Sequence, residues 1–253
     1  MDIGAVRSPL ELLNGQRLYQ VVARRIAKLI EINAADTSWR MPSERELAEE
    51  LQVSRPVVRE AVIALEMRGI VEVRGRAGIV VLNSRPSQIS LDVAGADPGP
   101  GPFELLEARL AVEASAAAIA AERGTPYDYV ILEECVAKME RETEVVLLQE
   151  QGDRDFHLTI ARMTNNAIIV SMVEGLWALR DSSVMWRKLH EHIHAPNVRP
   201  LWVGDHHAVL SAIRMRSPDA AYKAMSRHIR NVIDELLEAD ERGRIRRAKS
   251  TSR

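Results

Sequence analysis

At 253 residues, with 46% apolar and 28% charged side chains, the chain has the composition of a globular protein of one large domain or two ordinary ones. Aromatics, at 4%, are too sparse for a typical sandwich or barrel, and a formal net charge of -2 leaves no uniform basic field, so any nucleic-acid surface must be local. The lone Cys135 excludes an internal disulfide framework, the start MDIGAVRSPLELLNG lacks a basic and apolar leader, and no stretch approaches the roughly 20 apolar residues that span a bilayer. A cytoplasmic protein with no membrane partner is expected.

Residues 1–15 form an N-terminal arm, and residues 16–83 a first domain of short elements. Residues 16–33 place Leu18, Val21, Val22, Ile26, Leu29 and Ile30 on one helical face. Met41-Pro42-Ser43-Glu44 starts the next helix: Ser43 is a good N-cap, and Glu46, three residues on, completes a capping box. That helix covers about 44–51 and exposes Arg45. Gln52-Val53-Ser54 then turns the chain. Ser54 caps a third helix over about 55–68, with Pro56 in its first turn and Gly69 at its end. Leu47, Val53, Val58, Ala61, Val62 and Leu65 lock the two helices together. Residues 70–73 and 79–82 are short β-branched runs around Arg74-Gly75-Arg76-Ala77-Gly78, hence a hairpin.

Three helices, a tight turn and a two-stranded wing predict a winged helix-turn-helix. Arg55 and Arg59 lie one turn apart at the start of the third helix, Arg45 on the helix before it, and Arg74 and Arg76 at the wing. A recognition helix presents its N-terminal residues to base edges in the major groove. Arginine binds guanine there bidentately, for roughly 1–3 kcal/mol of discrimination. One pair of arginines alone would be an ordinary solvated face. Capping box, turn, recognition helix and wing in sequence are more specific than that.

The segment PSERELAEELQVSRPVVREAVIALEMRGIVEVR resembles the DNA-binding domain of the GntR family of bacterial transcription regulators. The resemblance implies that Arg45, Arg55 and Arg59 contact DNA, as does the wing turn ending at Gly78. With Ser54, Arg74 and Arg76 these form the candidate DNA-binding set. The wing departs from the family, which usually has glycine where this chain has Arg76, while Gly75 lies one place earlier. The family also implies a homodimer on a palindromic operator in double-stranded DNA.

A proline- and glycine-rich linker, 84–102, leads into a second domain, 103–240, and a basic tail, 241–253, that is expected to fray. Helix follows helix at about 103–122, 126–148, 152–163, 167–189, 200–215 and 218–237. This is an all-α antiparallel bundle, of the kind that places ligand and metal sites between facing helices. The fold class is therefore mainly α. All seven histidines fall after residue 150. Asp153 and His157 share a helix face at four-residue spacing. His206 continues an apolar face through Val209, Leu210 and Ile213, and His228 lies among Met225, Ile229 and Val232. One carboxylate and three imidazoles aimed inward suit a first-row transition metal with positions left open for a chelating ligand. Each histidine alone would be an ordinary core residue, and spacing does not choose between His206 and His207. Arg109, with Glu113 four residues on, is either half of a surface ion pair worth about 0.3–0.5 kcal/mol or a buried guanidinium that clamps a carboxylate.

FELLEARLAVEASAAAIAA, the segment of Asp153, His157 and Asn166, DHHAVLSAI and AYKAMSRHI resemble the FCD ligand-binding domain of one large GntR subfamily. The resemblance implies metal ligands Asp153, His157, His206 and His228, with His207 where the subfamily commonly has arginine, and an effector cavity faced by Arg109. GPFELLEAR, VEGLWALR and WRKLHEHI are similar to hexuronate-utilisation repressors. That implies a repressor of sugar-acid genes, released from its operator by a small carboxylate such as a hexuronate. The implied cofactor is a divalent transition metal, zinc first, with nickel or manganese as alternatives. Arg109, Asn166, Trp177 and Arg180 are the candidate effector contacts. Trp177 or Trp186 would stack on a pyranose face, and Lys188 and His190 are further candidates. The alternative, a metal-dependent hydrolase, finds no general base except Asp155, which lies on a different helix face from Asp153. It also leaves the winged helix without a purpose, so no enzyme is expected.

Overall fold

The computed structural model describes residues 17–36, 38–74, 78–82, 97–144, 151–191 and 195–250. Helix α1 (Leu18–Asn33) buries Val22, Ile26 and Ile30 on the face its spacing predicts. Helix α2 (Glu44–Leu51) begins at the expected capping box: Ser43 Oγ accepts from the Glu46 N–H at 3.3 Å, and the Glu46 carboxylate accepts from the Ser43 N–H at 2.7 Å. Gln52, with φ of 55°, makes the left-handed turn into α3 (Arg55–Met67). Ser54 has the extended backbone of an N-cap, but its side chain makes no capping hydrogen bond. Pro56 already removes one of the donors such a cap would satisfy. Gly69, with φ of 67°, closes α3 as the Ile70 N–H reaches back to the Leu65 carbonyl at 3.1 Å.

Strands β1 (Val71–Arg74) and β2 (Gly78–Val81) pair antiparallel, from Val71 opposite Val81 to Arg74 opposite Gly78. One apolar core joins these pieces, with Val22, Ile26, Leu47, Leu51, Val62, Leu65 and Ile79 among its members. Each large side chain withdrawn from water contributes about 1.5–3 kcal/mol. Helices and hairpins this short are marginal on their own, so the shared core is what makes them persist.

The remaining elements are α4 (Pro102–Arg123), α5 (Pro126–Glu144), α6 (Gln151–Met163), α7 (Ala167–Ser182), α8 (Val184–Glu191), α9 (Ala195–Arg214) and α10 (Pro218–Ser250). Residues 167–189 are thus two helices where one was expected. Ser183 Oγ accepts the Trp186 N–H at 3.1 Å and starts α8 as a fresh N-cap. Helix α9 begins at Ala195 instead of residue 200. Helix α10 runs on to Ser250, through the tail expected to fray, whose Glu, Arg, Ala and Lys all favour helix.

The chain forms two compact units. The first gathers the winged helix, residues 97–103, α8 and the part of α10 from Leu237. The second gathers α4 from Glu104, then α5, α6, α7, α9 and α10 as far as Leu236. Helix α8 therefore leaves the helical domain in which its sequence position placed it. Its buried Met185, Trp186 and Leu189 make an apolar face, and it packs against α3. In the second unit, wholly buried Ala114, Ala117, Ala120 and Ala121 keep one side of α4 slim. Gly152 lets α6 start hard against α5, since a Cβ there would lie 2.8 Å from the Met139 nitrogen. Leu158, Ala161, Val173 and Trp177 form a core between α6 and α7. No described helix is long and apolar enough to cross a membrane.

Candidate functional site

Helix α6 supplies Asp153 and His157, α9 supplies His206 and α10 supplies His228. One ligand atom from each lies within 4.8 Å of all the others. Each imidazole is 2–3% exposed. Asp153 Oδ1 is 2.9 Å from His206 Nε2 and 3.3 Å from His157 Nε2. The Nδ1 atoms face three separate acceptors: the Trp202 carbonyl at 2.7 Å for His206, the Glu113 carboxylate for His157, and Asp205 for His228 at 3.9 Å, longer than a hydrogen bond. For His157 and His206 this is how ligating histidines are held, one ring nitrogen fixed by an outer acceptor and the other offered to the ion. One carboxylate with three imidazoles suits a borderline-soft ion, so the group can hold a metal. His207 is exposed and bound to Glu140 at 3.0 Å, so burial decides between neighbours that spacing could not separate.

Charge states in the cluster follow from burial working against near neighbours. Burial disfavours ionised Asp153, but hydrogen bonds from His157 and His206 outweigh it and hold the carboxyl well below its usual range. Burial opposes ionised Glu113 too, yet the charges of Arg109 and His157 bring it down to about 2. Burial also disfavours protonated His157, and the Glu113 charge with hydrogen bonds to Asp153 and Glu113 overcomes it, so this ring is raised. His228 is pushed down to about 3, first by burial and then by the charge of His206. It therefore stands neutral, the form that binds a metal.

Arg109 combines its two expected readings. It is 4% exposed, and it pairs with Glu113 through Nε at 2.9 Å and a terminal nitrogen at 3.3 Å. The i,i+4 bridge exists, but inside the protein. The Arg109 and Arg180 guanidiniums lie over the Trp177 ring, 4.2 and 4.8 Å from its centre, and His157 stands 5.4 Å away. Three of the four candidate effector residues thus gather beside the metal cluster. Trp177 is wholly buried, however, and presents no open face to a sugar. Asn166 is exposed; its Oδ1 caps α7 by accepting from the N–H groups of Ile168 and Ile169 at 3.0 and 3.4 Å. Trp186, Lys188 and His190 lie on α8, which belongs to the first unit, whereas this group belongs to the second. There Lys188 pairs with Glu191 at 2.7 Å, and the His190 ring sits 5.3 Å from Trp186. Sequence reasoning missed Glu113 as the partner of His157. The available signal was a carboxylate inside an alanine-rich, otherwise apolar helix.

On the winged helix, Arg45 and Ser54 are exposed, Arg55 is half-buried at the start of α3, and Gly78 opens β2 with φ of 70°. Arg74 is exposed and paired with Glu72 at 2.6 Å, and Arg76 lies outside the described residues. Arg59 departs from the expected exposed position. It is 2% exposed, with one terminal nitrogen 3.2 Å from Glu44 and the other donating to the Leu237 carbonyl at 3.2 Å. Those two contacts hold the terminal nitrogens of the guanidinium inside the first unit.

Residues 18–81 match the family described as bacterial regulatory proteins, gntR family, and residues 104–231 match the FCD domain. The Uxu operon transcriptional regulator of Escherichia coli (strain K12) is 41% identical over 89% of each chain. The protein belongs to the GntR family. The Exu regulon transcriptional regulator of the same strain is 36% identical to this GntR regulator, over 88% of this chain and 85% of that one. Among solved structures, Streptococcus agalactiae GntR is 26% identical with a TM-score of 0.44, covering 85% of this chain and 98% of that one. This GntR protein is a DNA-binding transcription regulator and not an enzyme. Asp155, the one general base open to a hydrolase, is held by Lys138 at 2.8 Å and Gln151 at 2.7 Å.

Proposed function

We propose that this GntR regulator represses sugar-acid catabolic genes in the cytoplasm and leaves its palindromic operator when a hexuronate-class carboxylate binds beside a divalent metal. Asp153, His157, His206 and His228 would hold the ion, zinc first. The observation that carries this reading is the cluster itself, four ligand atoms within 4.8 Å of one another, three of them on imidazoles no more than 3% exposed. Groups of this kind are costly to bury unless paired or metal-bound. When bound, the ion supplies open coordination positions for an oxygen ligand. The ion itself favours an anion: Arg109 is paired with Glu113 and Arg180 with Asp181, so a divalent ion held by Asp153 and neutral imidazoles would carry positive charge that a bound carboxylate offsets. The hexuronate class rests on the relatives named for the Uxu operon and Exu regulon, and on the strings GPFELLEAR and VEGLWALR.

Arg45, Ser54, Arg55 and the wing would read the operator, with palindromic half-sites matched by a homodimer. A dimer is supported by α7, where Ile168, Met172 and Leu179 lie at helical spacing and are 71%, 49% and 45% exposed. The effector acts by favouring one arrangement of the protein over another, which requires unequal affinity for the two. Operator titrations with glucuronate, galacturonate and their keto isomers, on metal-loaded and chelator-treated protein, test the whole reading. Release by one uronate from the metal-loaded form alone is expected, with thermal stabilisation of about 2.7 kcal/mol at a hundredfold excess over Kd. Operator affinity and melting temperature that ignore every uronate would overturn it.

A further inference from the structure

Of the three imidazoles in the cluster, His157 is the one whose outer partner is a fully buried carboxylate. Glu113 is 1% exposed, and one of its oxygens, Oε2, forms a close ion pair with His157 Nδ1. A carboxylate can only accept, so the shared proton sits on Nδ1. Nε2 lies 3.3 Å from Asp153 Oδ1, on the side where the other ligand atoms converge, and a bound ion would displace its proton and take its lone pair. His206 makes the equivalent bond to a neutral backbone carbonyl at 2.7 Å, while the acceptor facing His228 is 3.9 Å away. The three ligands are therefore held to unequal degrees.

Glu113 is itself held. Arg109 grips it through two contacts, and the Arg109 guanidinium lies 4.2 Å from the centre of the Trp177 ring. An ionised carboxylate this deeply buried is tolerable only with such compensation. The consecutive contacts Trp177, Arg109, Glu113 and His157 thus end on a metal ligand. We propose that Glu113 is the positioning residue of the metal centre, fixing the tautomer and ring plane of His157, and that Arg109 serves the centre through Glu113. This rests on the metal reading given above, but the role of Glu113 is separate from the choice of effector. Outer carboxylates on ligating histidines are worth about 10–100-fold in metal affinity.

The test uses zinc alone on the full-length protein, with affinity measured by competition against a chromophoric chelator. Glu113→Ala should weaken zinc by about 10–100-fold. Glu113→Gln should recover part of that loss, because its amide oxygen can still accept from Nδ1. In the zinc-loaded wild type, nitrogen-15 spectra of the histidine rings should show His157 protonated at Nδ1 and metal-bound at Nε2. That signature needs no variant, so it decides the question even if Glu113→Ala fails to fold. Zinc affinities within twofold of wild type, a Gln variant as weak as the Ala variant, or a His157 bound through Nδ1 would each overturn the proposal. A wild-type chain that takes up no zinc would instead overturn the metal reading on which it stands.

Discussion

The two units bury opposite kinds of residue at their centres. The winged helix closes over aliphatic side chains, and among its described residues Arg59 with Glu44 is an interior ion pair. The helical unit places Arg109, Glu113, His157, His206 and His228, each no more than 4% exposed, where a bundle would ordinarily keep Leu and Val. Apolar burial is non-directional and needs no ligand, whereas buried charge is stable only while every partner is present. The first unit should therefore be indifferent to metal. The second should depend on it.

The largest expected effect is metal loss. Chelation, or His206→Ala, should destabilise the helical unit by about 4 kcal/mol if free zinc stands a thousandfold above its Kd, leaving the winged-helix transition in place. Calorimetry showing both transitions moving together would break the contrast. His207→Ala should retain full metal by elemental analysis, since that side chain lies outside the cluster. Next comes Arg59. Removing one partner of a buried ion pair costs about 3–5 kcal/mol, so Arg59→Ala should unfold more readily as well as bind operator poorly. Arg55→Ala should keep its stability within about 0.5 kcal/mol while losing roughly 1–3 kcal/mol of operator discrimination. Equal melting temperatures for the two variants would remove Arg59 from the interior.

Met172→Glu should raise the dimer dissociation constant at least about tenfold, roughly 1.4 kcal/mol, with metal content unchanged. Sedimentation of an unaltered dimer would place the contact elsewhere. The smallest effect is a pH dependence in the winged helix. Hydrogen bonds from the Ser43 backbone and hydroxyl lower Glu46 below its usual range. Its contribution is then complete above about pH 4.5 and is lost as pH falls through the lowered value. Ser43→Ala should flatten that slope. A Ser43→Ala profile parallel to wild type would assign the acid sensitivity to other groups.

How far the sequence could be read follows the same division. Helices α1, α2 and α3 and the hairpin were legible to within a few residues, because caps and apolar spacing are local signals. The break at Ser183 was not legible: apolar residues keep helical register across it, and the deciding bond runs from a backbone N–H to one hydroxyl. Asp153 and His157 were visible as an i,i+4 pair, but only burial separates His206 from His207. Glu113 looked like half of a surface bridge. Its bond to His157 joins residues far apart in the chain, and no periodicity reports such a meeting. The exposure of Arg59 was misjudged for a related reason, since its acceptor on Leu237 is equally remote.

Gly101 meets the recognition helix where an added side chain would push the buried Glu60 carboxylate from its place. A Cβ there would fall 2.2 Å from the Glu60 carboxylate, whose oxygen accepts the Phe103 N–H at 2.8 Å at the start of α4. Glu60 is 4% exposed, so its charge is met inside the protein, near the positive end of a helix dipole. Glu60 and Gly101 therefore work as lock and keyway and must be transplanted together. A chimaera that keeps this winged helix would hold Glu60 on the Phe103 N–H only with both residues in place. Swapping at residue 104 preserves the pair, whereas swapping anywhere in the linker before Gly101 leaves an acid facing whatever side chain the donor brings.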